Sequence, residues 1–156
     1  MSGLFERIIM IRSGVINDID NILSLEQSRF TTDCWTREQW EYEFNDNKFA
    51  KILVLEEDGM FLGYIDYWIL FDQATINKIC ICENCEKRGL GFKLLEQTLK
   101  NGDEELCVST TLEVRVSNQK AINLYKKQGF YIALTKPHYY DDGEDCYFMI
   151  RNIGGV

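Results

Sequence analysis

Between Thr75 and Leu99 the sequence changes its period, and the change dictates a junction. An apolar run, Ile76 to Cys82, leads into Glu86-Lys87-Arg88-Gly89-Leu90-Gly91, after which Leu90, Leu94, Leu95 and Leu99 recur at helical spacing. The pattern predicts a strand, a glycine turn and a helix. Two glycines free the backbone to take positive φ and to approach a ligand closely. A helix start presents unpaired N–H groups and the positive end of a dipole, which suits a phosphate. Lys87 and Arg88 add charge at the same place, so the turn reads as a pyrophosphate cradle. A glycine pair before a helix also serves as an ordinary turn. The third glycine of the dinucleotide fingerprint is replaced by Leu94, and no Gly-Lys-Ser/Thr follows, which excludes a P-loop.

The chain has 156 residues, enough for one domain with a full core, and we expect a single domain over 1–156. A formal net charge of −8 without a basic stripe argues against nucleic acid as a partner. The same charge suits a basic substrate, because an acidic surface steers cations. The acidic runs Glu56-Glu57-Asp58, Asp103-Glu104-Glu105 and Asp141-Asp142 also fit solvated loops. Met1 to Met10 lacks the long apolar core of a secretory signal. The apolar stretch Met60 to Phe71 contains Asp66 and is too short to span a bilayer. We therefore expect a soluble, cytoplasmic protein with no membrane partner.

Six cysteines stand at positions 34, 80, 82, 85, 107 and 146. Without an export signal a disulfide framework is not expected. Cys80, Cys82 and Cys85 form C-x-C-x-x-C, but no second Cys/His cluster stands at finger spacing and His138 is the only histidine. We expect no metal and read the cysteines as small core residues.

Ile8 to Ile11 predicts a first strand and Asn17 to Phe30 a helix. Thr36 is placed to cap a second helix with Trp40 and Phe44 on one face. Lys51 to Glu56 and Met60 to Leu70 read as strands around Glu57-Asp58-Gly59. Asn101-Gly102 is expected to end the helix that begins at the glycine turn. Thr110 to Val116 alternates, with Leu112, Val114 and Val116 on one side and Glu113 and Arg115 on the other. A helix from Asn118 to Gln128, capped by Gly129, and two strands, Phe130 to Leu134 and Asp145 to Ile150, complete the chain. The order of elements predicts an α/β (α+β) domain with one mixed sheet and helices on both faces.

Taken with Arg88-Gly89-Leu90-Gly91, the stretch Leu112-Glu113-Val114-Arg115-Val116-Ser117-Asn118, then Ala121-Ile122-Asn123-Leu124-Tyr125 and Gly129-Phe130, resembles the GCN5-related N-acetyltransferases. The likeness covers about Ile8 to Ile150. With Ala74-Thr75-Ile76 and Tyr139-Tyr140 it is similar, more narrowly, to the RimI-type branch, which acetylates ribosomal protein alanine. The resemblance implies a mostly antiparallel sheet splayed between its fourth and fifth strands, with acetyl-CoA at the splay. It implies that backbone groups of Ile79, Cys80 and Ile81 hold the acetyl and pantetheine part. Lys87, Arg88, Gly89, Leu90, Gly91 and Phe92 would wrap the pyrophosphate, and Asn118 would contact the cofactor arm. Glu113 matches the general base and Tyr125 the general acid.

Those roles agree with the chemistry. A free amino terminus has a pKa of about 8, so at neutral pH it is mostly protonated and cannot attack. A carboxylate facing the reacting atoms takes that proton, and Glu113 suits the task. A phenol beside the sulfur donates a proton to the departing thiolate, and Tyr125 suits that. A splayed strand offers an unpaired N–H near Ile81 to a developing oxyanion. The competing structural roles are a surface ion pair between Glu113 and Arg115, and plain helix packing for Tyr125.

The chain departs from the family pattern at Glu86, where Gln or Arg is usual, and at Glu83, where proline is common. An acidic residue beside a pyrophosphate is unfavourable unless it points away. The resemblance names the amino-terminal alanine of a small-subunit ribosomal protein as acceptor. A small amine, such as a polyamine, drug or amino acid, is the alternative, since fold alone does not assign substrate. Binding of acetyl-CoA without chemistry is the third reading. Trp35, Tyr139 and Tyr140 are the candidate acceptor contacts; packing roles for Trp35 and Phe30 stay open.

Overall fold

In the computed structural model the described residues are 7–30, 32–85 and 87–153. Among the described residues, seven strands and four α-helices follow one another: β1 (Ile9–Ser13), α1 (Ile19–Arg29), α2 (Arg37–Asn45), β2 (Ala50–Glu57), β3 (Met60–Leu70), β4 (Gln73–Ile81), α3 (Leu90–Glu104), β5 (Ser109–Arg115), α4 (Gln119–Lys127), β6 (Tyr131–Lys136) and β7 (Cys146–Asn152). The strands form one sheet in the order β1-β2-β3-β4-β5-β7-β6. β4 and β5 are parallel, and their pairing runs only from Gln73↔Ser109 to Ile76↔Leu112. β4 continues to Ile81 and β5 to Arg115, beyond the last residues that pair between them. β5 and β7 pair antiparallel over the full length of both strands, from Ser109↔Asn152 to Arg115↔Cys146.

The chain packs as two compact units. The first takes in residues up to Asp66 together with Lys78–Leu94; the second takes in Tyr67–Asn77 and the residues from Leu95 onward. In the first, α1 and α2 bury Ile19, Ile22, Leu25 and Trp40 against Ile52, Tyr64 and Cys80. The cap of α2 is the one the sequence predicts: Gln39 N donates to Thr36 Oγ1 at 3.1 Å, and Thr36 N donates to Gln39 Oε1 at 2.7 Å. In the second, Leu112, Val114, Ile122, Tyr125, Phe130 and Met149 are buried. Gly129 (φ +92°) ends α4, and Phe130 N donates back to Tyr125 O at 3.1 Å.

The expected end of α3 at Asn101-Gly102 is corrected. The helix runs on to Glu104, and Leu106 takes the left-handed position at φ +64°. Cys107 N then closes onto Gly102 O at 2.9 Å and Leu106 N onto Asp103 O at 3.1 Å. This is the two-bond C-terminal closure that glycine usually supplies. Gly102 instead lies inside the last turn, where its lack of a side chain is tolerated.

No helix among the described residues is long and apolar enough to cross a membrane. No group of three or more His, Cys, Asp or Glu among them could hold a metal ion.

The turn between β1 and α1 is tied by a buried carboxylate. Asp18 accepts from both terminal Arg12 guanidinium nitrogens at 2.8 Å and from the Val15 N–H at 2.7 Å. The Arg12 hydrogen bond holds its carboxyl below the ordinary value of 3.8. Because the folded-state value is lowered, the stability is present above the ordinary value and is lost as pH falls through the lowered one. We predict that Asp18→Asn loses about 1–3 kcal/mol at pH 7 in urea unfolding, and that the deficit shrinks below pH ~4. A deficit independent of pH would contradict this.

Candidate active site

The first unit contributes the far end of β4 and the glycine turn. Cys80 is buried in the helical core, and burial pushes its thiol up to about 12, which leaves it inert at neutral pH. Ile79 and Ile81 are half-buried. What lets the neighbouring strand lie against them is Gly63 on β3, which sequence reasoning missed. A Cβ at Gly63 would stand 2.6 Å from the Cys80 carbonyl oxygen and 2.6 Å from Ile81 Cδ1. An isolated glycine inside a strand pattern is a sign of a bulge or of such a close backbone approach, and Gly63 within Met60–Leu70 is one.

After β4 the chain makes a 3-10 turn over Glu83–Cys85. Here the expectation of reduced core cysteines is corrected: Cys82 and Cys85 form a disulfide. The turn brings their Cα atoms to 5.4 Å, within the range a disulfide spans. Cys80, Cys107 and Cys146 are free and buried, as read from the sequence, and Cys34 is half-buried. Glu86, the family departure, lies outside the described residues.

Lys87 (φ +69°) and Gly89 (φ +72°) both take the left-handed conformation on either side of Arg88. Alternation of this kind turns successive N–H groups toward one side, the arrangement that holds an anion. A Cβ at Gly89 would meet nothing within 4 Å, so the turn is open to a ligand there. α3 starts at once, with Lys93 N bonded to Gly89 O at 3.1 Å and Leu90 buried; Gly91 and Phe92 in its first turn are half-buried. Lys87 is exposed. The Arg88 guanidinium is shared: it binds both Glu57 carboxylate oxygens, one of them at 3.1 Å, and holds that carboxyl below its ordinary range. Glu57, which also accepts Arg7 at 3.2 Å, is a second residue the sequence did not single out. These features fit the pyrophosphate of a coenzyme A thioester: open backbone, helix N–H groups and an exposed lysine.

Beside β4 in the same unit, Glu26 is fully buried and multiply bonded. It accepts Trp40 Nε1 at 2.7 Å, Tyr64 Oη at 2.9 Å and Trp35 N at 3.3 Å, and pairs with Lys78. Lys78 also donates to the Asp33 carbonyl, and its ammonium lies over Phe30 at 5.3 Å and Trp35 at 5.2 Å. The candidate acceptor contact Trp35 is therefore half-buried and fixed, its ring packed at a 43° tilt against Trp40 with centroids 4.7 Å apart.

The second unit holds the two residues matched to acid and base. Glu113 projects from β5 on the face opposite the buried Leu112 and Val114, and is exposed. Glu113 pairs with Lys136 at 2.9 Å, whereas Arg115 pairs with Asp142 at 2.8 Å and Glu144 at 2.9 Å. Arg115 thereby anchors the loop after β6 and lies 3.9 Å over the Tyr140 ring. Tyr139 packs edge-on against Tyr140 at 5.0 Å, and burial and the nearby charge of Glu113 raise its hydroxyl above the usual phenol value. The buried Cys146 thiol lies 3.7 Å from Glu113 Oε2. Tyr125 is buried on α4 with its ring 5.7 Å from Phe130, and burial raises its hydroxyl well above the usual phenol value. Asn118 caps α4, accepting Ala121 N at 3.3 Å. So Glu113 and Tyr139 are brought together, Tyr140 is tied to the loop through Arg115, and Asn118 spends its side-chain oxygen on a helix start.

The acetyltransferase (GNAT) family model matches residues 16–130, and the chain belongs to that family. It is 36% identical over 140 residues, 89% of this chain and 92% of the other, to a Bacillus subtilis protein named for alanine N-acetylation of ribosomal protein bS18. It is 33% identical over 156 residues, covering 89% and 90%, to an N-alpha-acetyltransferase of Sulfurisphaera tokodaii. The crystal structure of the ribosomal-protein-S18-alanine N-acetyltransferase from Escherichia coli superposes with a TM-score of 0.85 at 27% identity, covering 94% of each chain. The chain is thus an acetyl-CoA-dependent N-acetyltransferase.

The Gly63 contact generates a prediction. In Gly63→Ala the obstructing atom is backbone, so β3 and β4 must move apart. We predict about 1–3 kcal/mol less stability and a weaker dissociation constant for acetyl-CoA, read by titration calorimetry. Unchanged affinity would show that Cys80–Ile81 do not depend on this approach.

Proposed function

We propose that the chain acetylates a protein amino terminus, and that its acceptor is the amino-terminal alanine of a small-subunit ribosomal protein. The names of the Bacillus subtilis and Escherichia coli relatives support the acceptor class. The observation that carries the chemistry is Glu113, an exposed carboxylate that already binds an alkylammonium, that of Lys136. An incoming amino terminus, pKa about 8, presents the same group and must lose a proton before it attacks. Glu113 accepts that proton. Tyr125 stays protonated throughout the working pH range because burial raises its hydroxyl, so it is a donor when the leaving thiolate needs a proton.

Acetyl-CoA, when bound, supplies an acyl group activated as a thioester. The backbone of Ile79, Cys80 and Ile81 would hold its acetyl and pantetheine part, and residues Lys87 to Phe92 its pyrophosphate. Asn118 would reach the cofactor arm through its amide nitrogen, its oxygen being used in the helix cap. Tyr139, Tyr140 and Trp35 would contact the acceptor. A net charge of −8 favours a basic acceptor tail.

Thiol release from acetyl-CoA with an alanine-first hexapeptide, and with spermidine in parallel, tests the reading. We expect turnover with the hexapeptide. We expect Glu113→Gln and Tyr125→Phe each to lower kcat by about 10²–10⁴ while acetyl-CoA still binds. Turnover with spermidine alone would discard the protein acceptor. Unaltered rates in both variants would discard their catalytic roles.

A further inference from the structure

Two lysines sit in near-identical chemical surroundings in this protein, and their difference is informative. Lys78 lies between the Glu26 carboxylate and two aromatic rings, and its side chain is 9% exposed against 0% for Glu26. It also donates to the Asp33 carbonyl. Removing either partner of such a pair leaves a buried charge uncompensated, so the lysine is locked in place.

Lys136, at the end of β6, also lies between a carboxylate and two rings. Its ammonium is 2.9 Å from Glu113 Oε2, 5.4 Å from the centre of the Tyr139 ring and 5.0 Å from that of Phe148. Strand register builds this arrangement. Glu113 on β5 stands opposite Phe148 on β7, and Lys136 on β6 stands opposite Cys146 on β7. Tyr139, three residues beyond Lys136, places its ring 5.4 Å from the Lys136 ammonium, and burial and the charge of the same carboxylate raise its hydroxyl. The walls of the seat thus come from paired strands and an anchored loop. Its occupant hangs on a flexible stem with 39% of its side chain exposed, and Glu113 is 32% exposed. A half-exposed pair of this kind is worth about 0.2–1 kcal/mol, so the lysine leaves at little cost.

A carboxylate flanked by aromatic faces is the set of groups that recognises an ammonium ion. We infer that Glu113, Tyr139 and Phe148 form the seat for the acceptor's ammonium group, and that Lys136 fills it in the free chain as an internal placeholder which the acceptor displaces. The inference rests on the acetyltransfer reading of Glu113. It makes Lys136 a specificity-determining residue. Only a ligand that carries a cationic amine and brings further contacts outcompetes a tethered one, and a binding-competent state occupied part of the time weakens apparent affinity in proportion.

The test compares the intact wild-type chain with Lys136→Met, which keeps the apolar stem, and Lys136→Arg, which keeps a cation. Thermal melting confirms that all three fold. Calorimetric binding of the alanine-first hexapeptide, of its N-acetylated form and of spermidine is measured, together with KM and kcat for the hexapeptide. We expect Lys136→Met to bind the free-amine hexapeptide and spermidine about two- to five-fold more tightly, with KM lowered by the same factor and kcat within two-fold. Affinity for the N-acetylated peptide, which has no ammonium, should not change, and Lys136→Arg should match wild type. Equal affinity of Lys136→Met and wild type for the free-amine ligands, weaker binding by Lys136→Met, or no dependence on the free amine overturns the placeholder. The binding arms need no turnover. A wild type that binds amines but transfers no acetyl group would refute the acetyltransfer reading while the seat is still judged on affinity.

Discussion

The parallel ladder between β4 and β5 stops at Ile76 and Leu112, and the division of labour in this chain follows from that stop. Backbone polar groups need partners, and a strand that leaves its neighbour must find them elsewhere. Past Asn77, β4 is placed by β3, through the room left at Gly63 and the bond from Cys82 N to Leu62 O at 2.8 Å. Past Leu112, β5 is placed by β7, which sets Glu113 opposite Phe148. One strand end leads into the glycine turn suited to a pyrophosphate. The other presents a carboxylate suited to an amine.

The ion pairs among the described residues differ in burial, from enclosed to surface-exposed. Asp18 and Glu26 lie inside, are met by several donors and serve the fold. Glu113 lies at the surface, paired with Lys136 and with the Cys146 thiol at 3.7 Å. Arg88 stands between these cases, because the residue expected to meet a phosphate is already bound to Glu57. A pyrophosphate at the turn would then meet an arginine whose charge is partly neutralised, with Lys87 and the backbone N–H groups as its remaining donors.

The fold was largely legible because its signals are local and periodic. Leu90, Leu94, Leu95 and Leu99 announce α3, Thr36 with Gln39 announces α2, and Gly129 announces the end of α4. Where the reading failed, a non-local or non-standard choice had won. Leu106 took a backbone position that glycine usually fills, so the end of α3 was misplaced. The Cys82–Cys85 bond depends on a 3-10 turn that composition does not reveal. At the candidate site, Glu113, Tyr125 and the glycine turn were singled out from sequence as candidates. Their partners could not be, since Lys136 and Phe148 reach Glu113 through strand register, and Glu57 reaches Arg88 across 31 positions. Gly63 was missed for the same reason: its necessity lies in the Cys80 carbonyl opposite it.

The central claim is that Glu113 takes a proton from an acceptor that arrives as an ammonium ion. The pH dependence of kcat/KM for the alanine-first hexapeptide, compared between wild type and Glu113→Gln, tests it most directly. If Glu113 is the base, wild type holds a level rate across neutral pH below the amine pKa of about 8. Glu113→Gln must wait for the free amine, so its rate should rise about ten-fold per pH unit up to ~8. Superimposable profiles for the two proteins would contradict the claim.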